Sequence, residues 1–250
     1  GLATKIKWTL PAGYAAGEIQ WPYPHMQNLG TLTNYGYGED TLHLVQLTVP
    51  ADAKGSADLK AEAKWLVCKD VCIPGSAQLA LTLPVAASEQ PDERWAKLFA
   101  ETRAKIPAPV PYWPASFETA NGDLSLSVSN PPLNPKEAKE MDEPGPPVNP
   151  TVAPPVPSGG RFEFFPIAND LVNHNAPQRI ITKPGSLRIS QKLSEYFVSA
   201  PTKVEGVLVW HDSDGNTFAF FIEATPGKVE PVPATTSPAG NTPAGAGSTD

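Results

Sequence analysis

Covalent chemistry in this chain falls to two cysteines, Cys68 and Cys72, in the run Trp65-Leu66-Val67-Cys68-Lys69-Asp70-Val71-Cys72-Ile73-Pro74-Gly75. A disulfide needs Cα atoms no more than about 7 Å apart, whereas four residues of extended strand cover about 13 Å. The chain must therefore turn between them, as a hairpin tip or as a helical turn. Pro74 and Gly75 are expected to end any strand that continues from Cys72. Three chemistries fit the pair. As a structural staple it would close so small a loop that only about 2 kcal/mol of unfolded-state entropy is removed, and scaffolds stapled for stability usually join distant segments with several disulfides. As a metal site, two thiolates with His25, His43 or Met26 could hold copper(I) or zinc, although no histidine lies within a turn of either cysteine. As a redox pair, a small ring beside a turn opens easily. Spacing leaves all three open. Lys69 and Asp70 push a thiol pKa in opposite directions, so thiolate availability does not follow from the neighbours.

The rest of the composition narrows the partners. The 250 residues carry a net charge of -7 with no Lys/Arg run, which argues against nucleic acid or an anionic membrane surface. No stretch reaches the roughly 18 apolar residues needed to span a bilayer. Gly1-Leu2-Ala3 runs directly into a strand-like segment, as in a mature or trimmed chain without a signal peptide. No nucleophile–His–acid set, phosphate loop or carboxylate pair points to hydrolysis, and no cofactor is expected.

The elements that must position the cysteines read as β. Residues 6–10, 42–49, 59–67 and 79–83 alternate in hydrophobicity and are punctuated by Gly and Pro, which favours a sandwich over a βαβ fold. Residues 91–105 form the one convincing helix: Pro91 suits its first turn, Asp92 and Glu93 its positive end, and Trp95, Leu98 and Phe99 share a face. A second β region begins near Trp113 and resumes at 161–165, 186–190, 204–210 and 217–222, around ten prolines in 131–160 that read as a long exposed insertion. Asp212-Ser213-Asp214-Gly215-Asn216 joins the last two strands; it lacks the full ligand set of a calcium loop and is expected to be a plain turn. The expected organisation is mainly β, with two sandwich units joined by a short helix and a Pro-rich connector. Residues 1–88 form the Cys-bearing domain, 89–112 the connector, 113–228 the second domain, and 229–250 a flexible tail.

Trp65-Leu-Val-Cys-Lys-Asp-Val-Cys-Ile-Pro74 resembles the cysteine segment of the amino-terminal periplasmic domain of DsbD-type thiol:disulfide interchange proteins, closest to the ScsB (suppressor of copper sensitivity) branch. Supporting stretches are Leu10-Pro-Ala-Gly-Tyr14, Gly17-Glu-Ile-Gln-Trp-Pro22, Asn34-Tyr-Gly-Tyr-Gly38, Phe164-Phe-Pro166 and Asn173-His-Asn-Ala-Pro-Gln178, so the likeness extends over about residues 5–225. The resemblance implies an immunoglobulin-like sandwich bearing the cysteines, and the second β region is expected to form a second immunoglobulin-like unit. It also implies a thiol:disulfide oxidoreductase, an electron-relay domain in the periplasm. Its electrons would come from its own or a separate transmembrane domain, through which it is tethered to the inner membrane, and pass to oxidised thioredoxin-fold partners. By the family's Cys-x-Pro, Cys72 would join partners and Cys68 would resolve. Tyr35, Gly36 and Tyr37 fall where the family carries an aromatic cap loop, with glycines that would let it open. The chain departs from the best-known pattern in having three residues between the cysteines where that pattern has five, and in its second β region, which lacks cysteine. The competing expectation is a copper- or protein-binding module with a merely structural disulfide.

Overall fold

The computed structural model describes residues 2–29, 32–38, 40–69, 71–88, 90–110, 113–129, 156–157 and 159–234. The chain divides into two compact units, Gly1–Ile106 and Pro107–Asp250, and both are mainly β. The sandwich reading of the sequence holds.

In the first unit, β1 (Lys5–Thr9), β6 (Gly55–Cys68) and β7 (Cys72–Val85) form an antiparallel sheet in that order, with β6 central. A second pair joins β2 (Ala15–Gln20) to β5 (Leu44–Thr48), and β3 (His25–Leu29) forms a hairpin with β4 (Leu32–Gly36). The period of two along β6 decides its burial. Ala57, Leu59, Ala61 and Ala63 are buried on one face, while Asp58, Lys60 and Lys64 are exposed on the other. Leu44 of β5 is also buried.

The β6–β7 hairpin is longer than its sequence suggests. Its ladder runs without a register break from Gly55↔Val85 to Cys68↔Cys72, so Pro74 and Gly75 lie inside β7 instead of ending it. The reason is local. The cysteine Cα atoms are 4.1 Å apart, the close spacing of a non-hydrogen-bonded rung, and Lys69 N–H donates to Val71 O inside the loop. Even-numbered residues of β7 therefore turn their backbone groups away from β6. Pro74 and Pro84 are both even-numbered, so their missing N–H groups fall on the open edge and cost the ladder nothing. Gly75 is needed because Trp65, directly opposite, lies across it; a Cβ there would sit 2.5 Å from the indole.

The helix α1 (Glu93–Arg103) is capped by Asp92, whose carboxylate accepts from Arg94 N–H at 3.1 Å. It lies within the first unit, not between units as expected. Trp95, Leu98 and Phe99 are exposed, and Thr102 is its buried residue.

The second unit continues one strand path: β11 (Arg161–Pro166), β14 (Val204–His211), β15 (Thr217–Pro226), β9 (Ala115–Ala120), β10 (Asp123–Ser129), β13 (Ser186–Lys192) and β12 (Arg179–Lys183), with the short β8 (Ala108–Pro109) beside β15. Alternate residues of these strands, among them Leu126, Val128, Phe164, Leu187, Leu208 and Ile222, make its core. Gln178, just before β12, reaches edge strand β11: it accepts from Phe164 N–H at 2.9 Å and donates to Phe164 O and to Gln191 Oε1. One side-chain amide thus does for β11 what a neighbouring strand would do. The Asp212–Asn216 segment is a turn as expected, its Asp212 carboxylate filled by the N–H groups of Asp214 and Asn216.

Two boundaries differ from expectation. Val229 and Val232 are buried, Val232 N–H donates to Ser190 Oγ, and Arg188 pairs with Glu230, so residues 229–232 are tied down where a free tail from 229 was expected. Most of the insertion expected at 131–160 lies outside the described residues, but Val156 is buried in the core cluster.

Candidate functional site

The turn that the spacing requires is a hairpin, at the end of the longest ladder among the described residues. Cys68 ends β6, Cys72 begins β7, and the two form a disulfide across the last rung. Cys68 is half-buried and Cys72 exposed. Their neighbours Val67, Val71 and Ile73 are 58 %, 68 % and 62 % exposed, so the tip stands outside the apolar core. An accessible sulfur at a loop is what in-line attack by a partner thiolate requires. Trp65 and Gly75 occupy the rung three residues in from the cysteines, and the indole lying over Gly75 stiffens the hairpin beneath them.

The residues expected as a cap loop have a more regular setting. Tyr35 and Gly36 belong to β4, opposite Met26 and His25 respectively, so a strand stands where a glycine-hinged loop was expected. Gly36 has no positive φ, and a Cβ there would meet nothing within 4 Å, so its conformational freedom is not called upon. Tyr37 leaves the strand and is held. Its hydroxyl donates to Pro22 O at 2.6 Å, and its ring stacks on Trp21 at 6.2 Å between centroids. Burial pushes its phenol up to about 12. His43 completes this cluster edge-on to Trp21 at 4.7 Å and to Tyr37 at 6.0 Å. Its Nδ1 is buried without a hydrogen-bond partner, and burial lowers its pKa.

Trp21 and His43 were not singled out together by sequence reasoning. Trp21 belongs to the Gly17–Pro22 motif and His43 to the possible metal ligands, but they lie twenty-two positions apart and are brought together by the pairing of β2 with β5, which sets Gln20 opposite Leu44. Here His43 is an aromatic-cluster residue, and His25 sits edge-on to Tyr23 at 5.3 Å. Among the described residues, no three His, Cys, Asp or Glu side chains gather in a metal-binding arrangement.

Residues 2–84 match the family described as thiol:disulfide interchange protein DsbD, N-terminal. No curated protein matches the chain. Among solved structures, the N-terminal periplasmic domain of ScsB from Proteus mirabilis superposes with a TM-score of 0.57 at 15 % identity, covering 91 % of this chain and 79 % of that one. That likeness extends over both units and is one of fold. Residues 2–84, which hold the β6–β7 hairpin up to Pro84, thus match the DsbD amino-terminal family, and the chain as a whole has the fold of the ScsB amino-terminal periplasmic domain.

Proposed function

We propose that Cys68 and Cys72 are a redox-active pair that passes reducing equivalents from a transmembrane electron-transfer domain to oxidised thioredoxin-fold proteins in the periplasm. The observation that carries this reading is the placement of the disulfide at an exposed hairpin tip within a DsbD-type domain. In the reduced domain, the Cys72 thiolate attacks one sulfur of the partner's disulfide and expels the other as a thiolate. A mixed disulfide through Cys72 results. The Cys68 thiolate then attacks Cys72 Sγ, re-forming Cys68–Cys72 and releasing the partner as a dithiol. Two electrons move to the partner, and the domain is recharged by a dithiol of the transmembrane domain running the same steps in reverse. The greater exposure of Cys72 supports its role as the partner-joining sulfur, with Cys68 resolving.

The β3–β4 hairpin, with Tyr35, Gly36 and Tyr37 at its end, is the candidate shield of the reduced thiols. Fixing Tyr37 through Pro22 and Trp21 supports a cap that moves as a hairpin instead of flexing at a glycine. Replacing Tyr35 and Tyr37 by Ala is expected to speed air oxidation of the dithiol, and an unchanged rate rejects the cap.

Trapping tests the central reading. Cys68→Ser is expected to accumulate mixed disulfides with oxidised thioredoxin-fold proteins, and Cys72→Ser to form none. Trapping that needs Cys68 instead reverses the roles, and none from either variant rejects exchange. A Cys68–Cys72 potential within roughly -120 to -270 mV is expected, whereas one below about -300 mV marks a structural bridge.

A further inference from the structure

The two faces of the β1–β6–β7 sheet are chemically unlike, and the cysteines belong to the polar one. Directly opposed residues of an antiparallel ladder share a face, so Cys68 and Cys72 lie on the face of the even positions of β6 and β7 and the odd positions of β1. Below the disulfide that face presents Lys5, Lys7, Lys60 and Lys64, all exposed, against Asp58 and Glu62. Both carboxylates are already engaged: Asp58 accepts from the Thr82 hydroxyl at 2.6 Å, and Glu62 pairs with Lys64 at 3.1 Å. Among the described residues, Lys5, Lys7 and Lys60 have no ion-pair partner. Lys5 moreover stands directly opposite Lys64, an arrangement that costs a sheet stability. The fold has no use for such a stripe, and in a chain of net charge -7 it runs against the whole.

We propose that this lysine stripe is the electrostatic docking track for an acidic protein partner of the Cys68–Cys72 pair. The proposal rests on the exchange reading above and names the surface chemistry of the partner. A protein whose acidic patch adjoins its own disulfide is drawn to this face and aligned along it, which brings its sulfurs to the hairpin tip. Charge arranged in this way raises the association rate and loses its effect as salt rises.

The test uses the reduced chain and three synthetic cyclic disulfide peptides of identical ring, flanked by glutamates, by serines or by lysines. At low salt the glutamate peptide is expected to be reduced about tenfold faster than the lysine peptide, with serine between, and the spread to collapse near 1 M salt, where the screening length is about 3 Å. In the Lys5→Glu/Lys7→Glu/Lys60→Glu variant the order is expected to invert while the serine rate stays unchanged. If the serine rate changes there, the milder Lys→Gln set at the same positions decides, and it is expected to abolish the glutamate advantage. Equal rates for the three peptides with the native chain, or a glutamate advantage that survives the substitutions, overturns the docking track alone. Failure to reduce any peptide overturns the exchange reading, and the track with it.

Discussion

Opening the Cys68–Cys72 disulfide should leave the first unit folded, and the structure says by what margin. The ring closes five residues, Cys68 to Cys72, for which the chain-entropy relation gives about 2 kcal/mol. Little else depends on the bond. Thirteen ladder rungs from Val67↔Ile73 down to Gly55↔Val85 lie beneath it, and Val67, Val71 and Ile73 around it are largely exposed. By linkage, the fold favours the disulfide over the dithiol by the same amount, which for a two-electron couple is about 40 mV. Equilibrating the chain in glutathione or dithiothreitol buffers, with alkylation and mass analysis, gives the potential of the pair. The folded chain is expected to be about 40 mV more reducing than the same chain in urea. A gap above about 100 mV, equivalent to roughly 5 kcal/mol, would mean that the disulfide holds the unit together, and the relay reading would be refuted.

Three further outcomes follow from packing and burial. Gly75→Ala drives a methyl into the Trp65 indole and is expected to cost about 1–3 kcal/mol in urea denaturation; Gly36→Ala, which enters open space, should stay within about 0.5 kcal/mol. Gln178→Leu strips partners from Phe164 N–H, Phe164 O and Gln191, and a loss of about 2 kcal/mol or more in the second unit is expected; an unchanged midpoint would show that water replaces the amide. Burial lowers the His43 pKa below 6.5, so the unfolded chain binds that proton first as pH falls. The stability this residue allows is complete above about pH 6.5 and lost as pH drops from there through the lowered native value. His43→Phe should flatten that slope in thermal melts, and an undiminished slope would assign it to another group.

What could be read without coordinates follows the range of the interactions involved. The strand at 59–67 declares itself because a period of two sorts most of it into a buried and an exposed face, and those at 204–210 and 217–222 because runs of β-branched and aromatic residues lie between turn signals. The turn at Asp212–Asn216 is legible because its hydrogen bonds are local. That the chain turns between Cys68 and Cys72 follows from reach alone; that the turn is a hairpin does not. The continuation of β7 through Pro74 and Gly75 does not, because it depends on which rungs are hydrogen-bonded and on what lies over the glycine, both properties of the opposite strand. The strand at Leu32–Gly36 was hidden by glycines that suggest a loop, and its partner His25–Leu29 shows no clean alternation. The anchoring of Val229 and Val232 was likewise invisible, since a Pro-rich polar segment is indistinguishable from a tail until Glu118, Arg188 and Ser190 are placed beside it.

The prolines of β7 also bear on assembly. A strand on the outside of a sheet is a template for foreign strands, and leucines 79, 81 and 83 make this one attractive. With Pro74 and Pro84 withholding donors from the open edge, an added strand finds an unbroken row of outward N–H groups only at Ser76, Gln78, Ala80 and Thr82, and the next one, at Cys72, lies beyond the gap at Pro74. Any zippering along this edge therefore loses a hydrogen bond at Pro74 before it reaches Cys72. The row of donors is thus broken just beneath the redox tip, which weakens strand capture where a partner's sulfur must enter.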